Sequence, residues 1–356
     1  LISPPAAPSV KKLKTALSPW NEVNKEIFPD GQKERIADMA NHGEIVIISG
    51  NSNPDLVNKI CEDLEIPQAG CKVNQFSDGE ISIDIMDSVR GKDVFVIQPT
   101  SGPVNDHLME LLILIDALKR ASAGRINAVV PYYGYARQDR KVKAREPITA
   151  KLVANLIAKA GADRVICMDL HAGQIQGYFD IPVDHLTAIP YLAKYFKKNI
   201  DTSNIVAVSP DLGGVSRTRK FAEELNGAPI AIIEKRRPKA NENVVMNVIG
   251  SIEGKDCILV DDIIDTAGTV CKAAEALRKY GARNIYGCAT HGVLSGPAIE
   301  RIDGSLMEKF VITDTIALPP EKNIEKIDVV TVAPILASAI RRINTDQSIS
   351  KIFEEV

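Results

Sequence analysis

At 356 residues the chain is long enough for two domains of about 150 residues each, and its 45% hydrophobic content belongs to globular rather than disordered proteins. With 43 basic against 46 acidic residues the formal net charge is -3, which argues against a general nucleic-acid or membrane-surface binder, so any phosphate-binding positive charge has to be local. Aromatic residues are only 5% of the chain, and the apolar residues are mostly Ile, Val, Leu and Ala, the mix of buried parallel strands flanked by helices.

In chain order, residues 1–43 read as a peripheral extension or leader, because Pro4, Pro5, Pro8, Pro19 and Pro29 interrupt any long helix or strand. The chain begins at Leu1 rather than Met, so residues upstream are expected to be missing. Lys11, Lys12 and Lys14 without an acid before Glu22 give the composition of an organelle transit peptide, while an expression remnant or a flexible arm fits as well. The expected location is cytoplasmic, with plastid or mitochondrion as the alternative if the leader is a transit-peptide remnant.

From Glu44 onward short Val/Ile-rich runs alternate with helical patterns, the arrangement of right-handed βαβ units. Strands are predicted at 45–48, 94–97, 126–130, 164–168, 205–208, 230–233, 244–249, 257–260, 284–289 and 329–332. Helices are predicted at 108–120, 149–160, 216–226 and 270–280, the last two stopped by Gly227 and Gly281. A loop-rich stretch, 184–204, separates two similarly organised halves and places a boundary near residue 187. The expected architecture is α/β: two similar Rossmann-like domains with mostly parallel sheets, 44–186 and 187–332, with a segment from about 333 to 356 packing back on the first. The apolar run Leu111 to Ile115 falls far short of the ~20 residues that span a bilayer. Cys61, Cys71, Cys167, Cys257, Cys271 and Cys288 form no C-x-x-C pair, so neither a disulfide framework nor a structural metal site is indicated.

The segment Cys257 to Thr269 carries the most chemistry. An apolar strand delivers Asp261, Asp262 and Asp265, and small and hydroxyl residues then open a helix. Amides of Thr266, Ala267, Gly268 and Thr269 with the helix dipole can hold a phosphate, while the acids accept from ribose hydroxyls or reach a metal. The plainer reading is a strand-to-helix turn whose Thr caps the helix. Two basic stretches also follow predicted strands: Arg137, Arg140, Lys141, Lys143 and Arg145 after Tyr132, Tyr133 and Tyr135, and Lys235, Arg236, Arg237 and Lys239 around Pro238. Alone, each reads as a solvated basic loop or anion patch. No Walker A string and no G-x-G-x-x-G occurs.

Together Phe76-Ser-Asp78-Gly79-Glu80, Pro131-Tyr-Tyr-Gly-Tyr-Ala-Arg137-Gln138-Asp139-Arg140, Asp169-Leu-His171-Ala, Ser209-Pro-Asp211-Leu-Gly-Gly, Lys235-Arg-Arg237-Pro238, Asp261 to Thr269 and Thr290-His291-Gly-Val-Leu-Ser295-Gly resemble a class I ribose-phosphate diphosphokinase, a phosphoribosyl pyrophosphate synthetase of the bacterial type. The resemblance runs from about residue 44 to the C-terminus and implies two phosphoribosyltransferase-like domains, the first ATP-side and the second ribose-phosphate-binding. It implies transfer of the diphosphoryl group of Mg-ATP to the 1-hydroxyl of ribose 5-phosphate, giving AMP and 5-phosphoribosyl 1-diphosphate for nucleotide, histidine and tryptophan synthesis.

By the same resemblance, Lys235 and Arg237 belong to a mobile catalytic loop, Arg237 also contacting ribose 5-phosphate. Phe76, Asp78, Gly79, Glu80, Arg137 and Gln138 bind ATP, the first four from a neighbouring subunit. Asp261, Asp262, Asp265, Thr266, Ala267, Gly268 and Thr269 bind ribose 5-phosphate, and His171 and Asp211 are magnesium-associated. Ser88 and Arg90, with residues 347–350, lie where the family places phosphate activation and ADP inhibition. A homohexamer built from dimers is implied, with ATP and ribose 5-phosphate as ligands, Mg2+ as cofactor, inorganic phosphate as activator, and no nucleic-acid or membrane partner. The alternatives are a phosphoribosyltransferase, which the 261–269 loop alone permits, and a non-catalytic regulatory subunit of the same family.

Overall fold

Unbroken apolar pentads make strands that can sit only where both faces are covered. The computed structural model describes residues 42–236 and 245–353. The first half runs β1 (Ile45–Ser49), α1 (Pro54–Leu64), β2 (Cys71–Gln75), β3 (Ile81–Ile85), β4 (Asp93–Ile97), α2 (Val104–Arg120), β5 (Arg125–Val130), α3 (Thr149–Ala160), β6 (Arg164–Met168) and β7 (Val183–Leu186). Five of these strands form a parallel sheet of order β1-β4-β5-β6-β7, and β1 and β4 are buried at every residue. Strands β2 and β3 form a separate antiparallel hairpin.

The second half runs α4 (Ile189–Asn199), β8 (Ile205–Ser209), α5 (Val215–Glu224), β9 (Ile230–Arg236), β10 (Val245–Ile249), β11 (Asp256–Ile264), α6 (Gly268–Lys279), β12 (Ile285–Gly292), α7 (Ala298–Asp303), β13 (Lys309–Thr313), β14 (Ile327–Val330) and α8 (Ala333–Asn344). Its seven-stranded sheet has the order β10-β9-β8-β11-β12-β13-β14, parallel except where β10 returns against β9. The molecule is thus α/β with two mostly parallel sheets.

The stretch 184–204, expected to be loop-rich, instead contains most of β7 and all of α4. Strand β7 carries Asp184 and His185 at a sheet edge, so no apolar run announces it. Helix α4 holds Pro190 in its first turn, where a proline costs no hydrogen bond, and buries Leu192, Ala193 and Phe196. Pro54 and Pro334 open α1 and α8 in the same way. The strand expected at 329–332 lies at Ile327–Val330, and Val332 instead caps α8.

Helix α8 packs on α1. Asn344 Nδ2 donates to Asp93 Oδ2 at 3.0 Å, and Arg125 grips the same fully buried carboxylate in a bidentate pair at 2.8 and 2.6 Å while its guanidinium also reaches Ile343 O. The chain end is therefore pinned to the first sheet.

The carboxyl ends of β6 and β12 meet. Asp169 Oδ2 accepts from Thr290 Oγ1 at 2.6 Å and from Ala188 N at 2.9 Å. The ring of His291 is buried, and its Nε2 faces Met168 O and Asp169 O at 3.1 and 3.2 Å, while Nδ1 lies 2.9 Å from Thr315 Oγ1. Since carbonyls only accept, Nε2 carries the proton. Burial holds the imidazole below its ordinary pKa. In parallel sheets, ligands bind at this end of the strands.

Candidate active site

Strand β11 is buried from Asp256 to Val260 and carries its acids out at the carboxyl end. Asp262 is almost fully buried and is held from two sides: His171 Nδ1 lies 2.8 Å from Oδ2, and Arg217 Nη1 lies 3.1 Å from Oδ1. Arg217 also reaches Asp261 Oδ1 at 3.5 Å, and the Asp262 amide donates to that oxygen at 2.9 Å. Burial works against charge on Asp262, but the His171 hydrogen bond and the Arg217 cation outweigh it and hold the carboxyl well below the usual range. Asp261 goes the other way, raised by burial and by the charge of Asp262. The Asp262 hydrogen bond raises His171 against the opposing effect of burial.

Arg217 was not singled out from the sequence, where it reads as one more cation on the polar helix α5. Only topology reveals it: β8, which leads into α5, is the parallel neighbour of β11. Asp211, in the same β8–α5 turn, accepts from the amides of Gly213 and Gly214 at 2.9 and 3.1 Å, and neighbouring Leu212 is exposed.

After Asp265 the chain turns sharply. Ala267 has φ 59°, a left-handed conformation costing an L-residue about 1–2 kcal/mol, and α6 begins at Gly268. No side chain caps this helix, so the plainer reading of a Thr cap does not hold. The loop carbonyls point to the segment after β12: Val293 N and Leu294 N donate to Ile264 O, Ser295 N donates to Asp265 O, and Arg301 Nη1 donates to Thr266 O at 2.8 Å.

From the first half, Arg137 Nη1 forms an ion pair with Asp265 Oδ2 at 2.7 Å. Burial disfavours the charge of Asp265, but Ser295 and Arg137 outweigh it and hold the carboxyl below its ordinary pKa. Gln138 Oε1 accepts from Thr149 Oγ1. Tyr132 and Tyr133 are buried under this loop, whereas Arg140, Lys141, Lys143 and Arg145 are exposed. Tyr132, Asp169, His171, Ile263 and His291 line a narrow crevice beside the acids.

The structure thus gathers His171, Arg217, Asp261 and Asp262 into one network and pairs Arg137 with Asp265 at the end of the same strand, with Thr266 to Thr269 directly following. Phe76, Asp78, Gly79 and Glu80 occupy the turn of the β2–β3 hairpin, where Gly79 has φ 93° and Phe76 is 59% exposed. Among the described residues no hydrogen bond or ion pair ties them to the acid network. Ser88 and Arg90 are exposed beside the bridge between Arg90 and Ala123. Ser348 and Ser350 bond to each other at 2.7 Å. Lys235 lies on β9 opposite Met246, and Arg237 and Lys239 fall outside the described residues. Burial pushes the Cys61 and Cys71 thiols up to about 11 and Cys257 to about 12, which keeps them protonated.

Two mostly parallel sheets meeting at their carboxyl ends, with an acid-tipped strand running into a turn that opens a helix, give the α/β arrangement that binds ligands at the strand ends. The family pattern described as the N-terminal domain of ribose phosphate pyrophosphokinase matches residues 45–161, and that of the phosphoribosyl synthetase-associated domain matches 231–354. The chain is 60% identical to a ribose-phosphate pyrophosphokinase of Clostridium perfringens over 89% of its own length and 100% of the relative's. It is 58% identical to the Bacillus subtilis protein of the same name, over 86% and 96%. A crystal structure of phosphoribosylpyrophosphate synthetase from Mycobacterium smegmatis aligns with TM-score 0.81 and 42% identity over 85% of this chain and 99% of that one. The chain belongs to the ribose-phosphate pyrophosphokinase family.

Proposed function

We propose that the network around Asp262 is the active site of a ribose-phosphate pyrophosphokinase that converts ATP and ribose 5-phosphate to AMP and 5-phosphoribosyl 1-diphosphate. The observation that carries this reading is the union of first-half residues Arg137 and His171 with the β11 acids of the second half. Residues 44–186 would form the ATP-side domain and 187–332 the ribose-phosphate domain, and the helix Ala333–Asn344 returns to the first.

The amides of Thr266 to Thr269 hold the 5-phosphate, and Asp261, Asp262 and Asp265 accept from the ribose hydroxyls. The ribose 1-hydroxyl oxygen attacks the β-phosphorus. The bond from that phosphorus to the oxygen bridging to the α-phosphorus breaks, AMP leaves with that oxygen, and the hydroxyl proton is lost. Lys235 and Arg237 stabilise negative charge on the diphosphoryl group in transfer. Arg137 and Gln138 grip ATP, with Phe76, Asp78, Gly79 and Glu80 of a neighbouring subunit enclosing the adenine. The 59% exposure of Phe76 within one chain supports that sharing, and a hexamer is the assembly we infer.

His171 and Asp211 would hold Mg2+, which neutralises triphosphate charge when bound. The donor set fits: Asp262 occupies Nδ1 of His171, the carboxylate–histidine arrangement that orients a ligating ring and leaves Nε2 for the metal side. Among the described residues no three His, Cys, Asp or Glu side chains gather around one point, which suits an ion that keeps waters and substrate oxygens. Ser88 and Arg90 form part of an allosteric surface, with inorganic phosphate as activator. No helix among the described residues is long and apolar enough to cross a membrane, and the bacterial relatives support a cytoplasmic enzyme.

The test is AMP formation from ATP with Mg2+ and inorganic phosphate. AMP should appear only when ribose 5-phosphate is added, in equal amount to 5-phosphoribosyl 1-diphosphate; no AMP overturns the reading.

A further inference from the structure

The geometry points to Arg301 as a positioning residue for the ribose-phosphate loop: its guanidinium fixes the Thr266–Ala267 peptide so that the Ala267 amide faces the phosphate. This rests on the reading that residues 265–269 bind the 5-phosphate. Three successive loop carbonyls, those of Ile264, Asp265 and Thr266, are taken by residues 293–301, but only the last by a side chain. The carbonyl and amide of one trans peptide point to opposite sides. Holding Thr266 O therefore aims the Ala267 N–H away from Arg301. That amide and the Thr266 amide make no hydrogen bond to another described residue, so both are left for a ligand.

Two further features show that the contact is built in. Glycine at 268 lets the guanidinium lie against the loop, since a Cβ there would meet Arg301 Nη1 at 3.2 Å. Cys271 Sγ on α6 reaches Arg301 O at 3.4 Å, tying the helix that follows the loop to the helix that carries the arginine. Without Arg301 nothing at its carbonyl holds the Thr266 peptide beside the strained, left-handed Ala267. A relaxed loop would turn an amide out of the cradle and weaken ribose 5-phosphate binding while leaving the ATP side and the transferred group untouched.

Steady-state kinetics of the full chain decide this, with Arg301→Met, which keeps the stem and removes the donors, Arg301→Lys as the conservative variant, and Thr269→Ala as a control on the loop. Arg301→Met should raise the KM for ribose 5-phosphate on the order of tenfold, with kcat and the KM for ATP within about twofold of the unmodified chain. Arg301→Lys should recover part of the loss. Adding Ala267→Gly to Arg301→Met should also recover part, because glycine adopts the left-handed turn without strain. An unchanged KM in Arg301→Met beside a raised one in Thr269→Ala overturns the role of Arg301 and leaves the loop reading standing. Unchanged values in both overturn the loop reading itself. Equal losses in both KM values and kcat would make Arg301 an ordinary structural residue, which also overturns the proposal.

Discussion

The two sides of the site are built to different standards. On the side proposed for ribose phosphate every acid has a fixed partner: Asp262 lies between His171 and Arg217, Asp261 meets the Asp262 amide, and Asp265 is paired with Arg137. On the side proposed for ATP the cations at 140–145 stand in solvent and Phe76 protrudes from a hairpin turn with more than half its surface bare. In the proposed reading the first side is organised before substrate arrives, and the second is completed by nucleotide and by a second subunit. Arg137, proposed for ATP, pairs with Asp265, proposed for the ribose, so in that reading the two substrates meet at one ion pair.

The comparison can be pressed at several points, in order of expected effect. Lys235→Ala removes a cation from the transferred group and should lower kcat on the order of 100-fold or more, with little change in the KM for ribose 5-phosphate; unchanged turnover would contradict its assigned role and favour a non-catalytic chain. Phe76→Ala should raise the KM for ATP about tenfold, the range of one base–aromatic stack, and leave the KM for ribose 5-phosphate alone. A matching rise in both would mean that the hairpin turn serves the whole site.

The smallest effect is on stability. Asp262 is depressed in the fold, so its contribution is present above the ordinary carboxylate pKa of about 4 and is lost as pH falls through the folded value. His171 is raised, so its contribution is full below about 6.5 and is lost as pH rises through the folded value. The pair is therefore worth most between about pH 4 and 6.5. Melting temperatures of the unmodified chain and His171→Asn should differ more at pH 6 than at pH 9; an equal difference at both would deny the charged pair.

Much of this was legible in the sequence because the buried parallel strands are plain apolar runs, and because β11 concentrates three acids and an amide-rich turn within nine residues, 261–269. What escaped was set by neighbours rather than by pattern. Strand β7 and the β2–β3 hairpin are edge elements whose half-buried residues alternate weakly, and α4 has in its first turn a proline that looks like a breaker. Arg217 and Arg301 sit on helices as ordinary cations, and only the β8–β11 pairing brings the first to Asp261 and Asp262 and the segment after β12 the second to the loop. The division between a finished side and an open one was equally invisible, since exposure of Phe76 is a property of the folded chain.

Mixing the two variants above tests that division most directly. Lys235→Ala lacks the transfer cation but keeps Phe76, and Phe76→Ala lacks the adenine contact but keeps Lys235. If Phe76 completes a neighbour's ATP site, dissociating and reassembling the two together should give activity at low ATP well above the sum of the separate variants. Activity equal to that sum would contradict a shared site and place the whole ATP pocket within one chain.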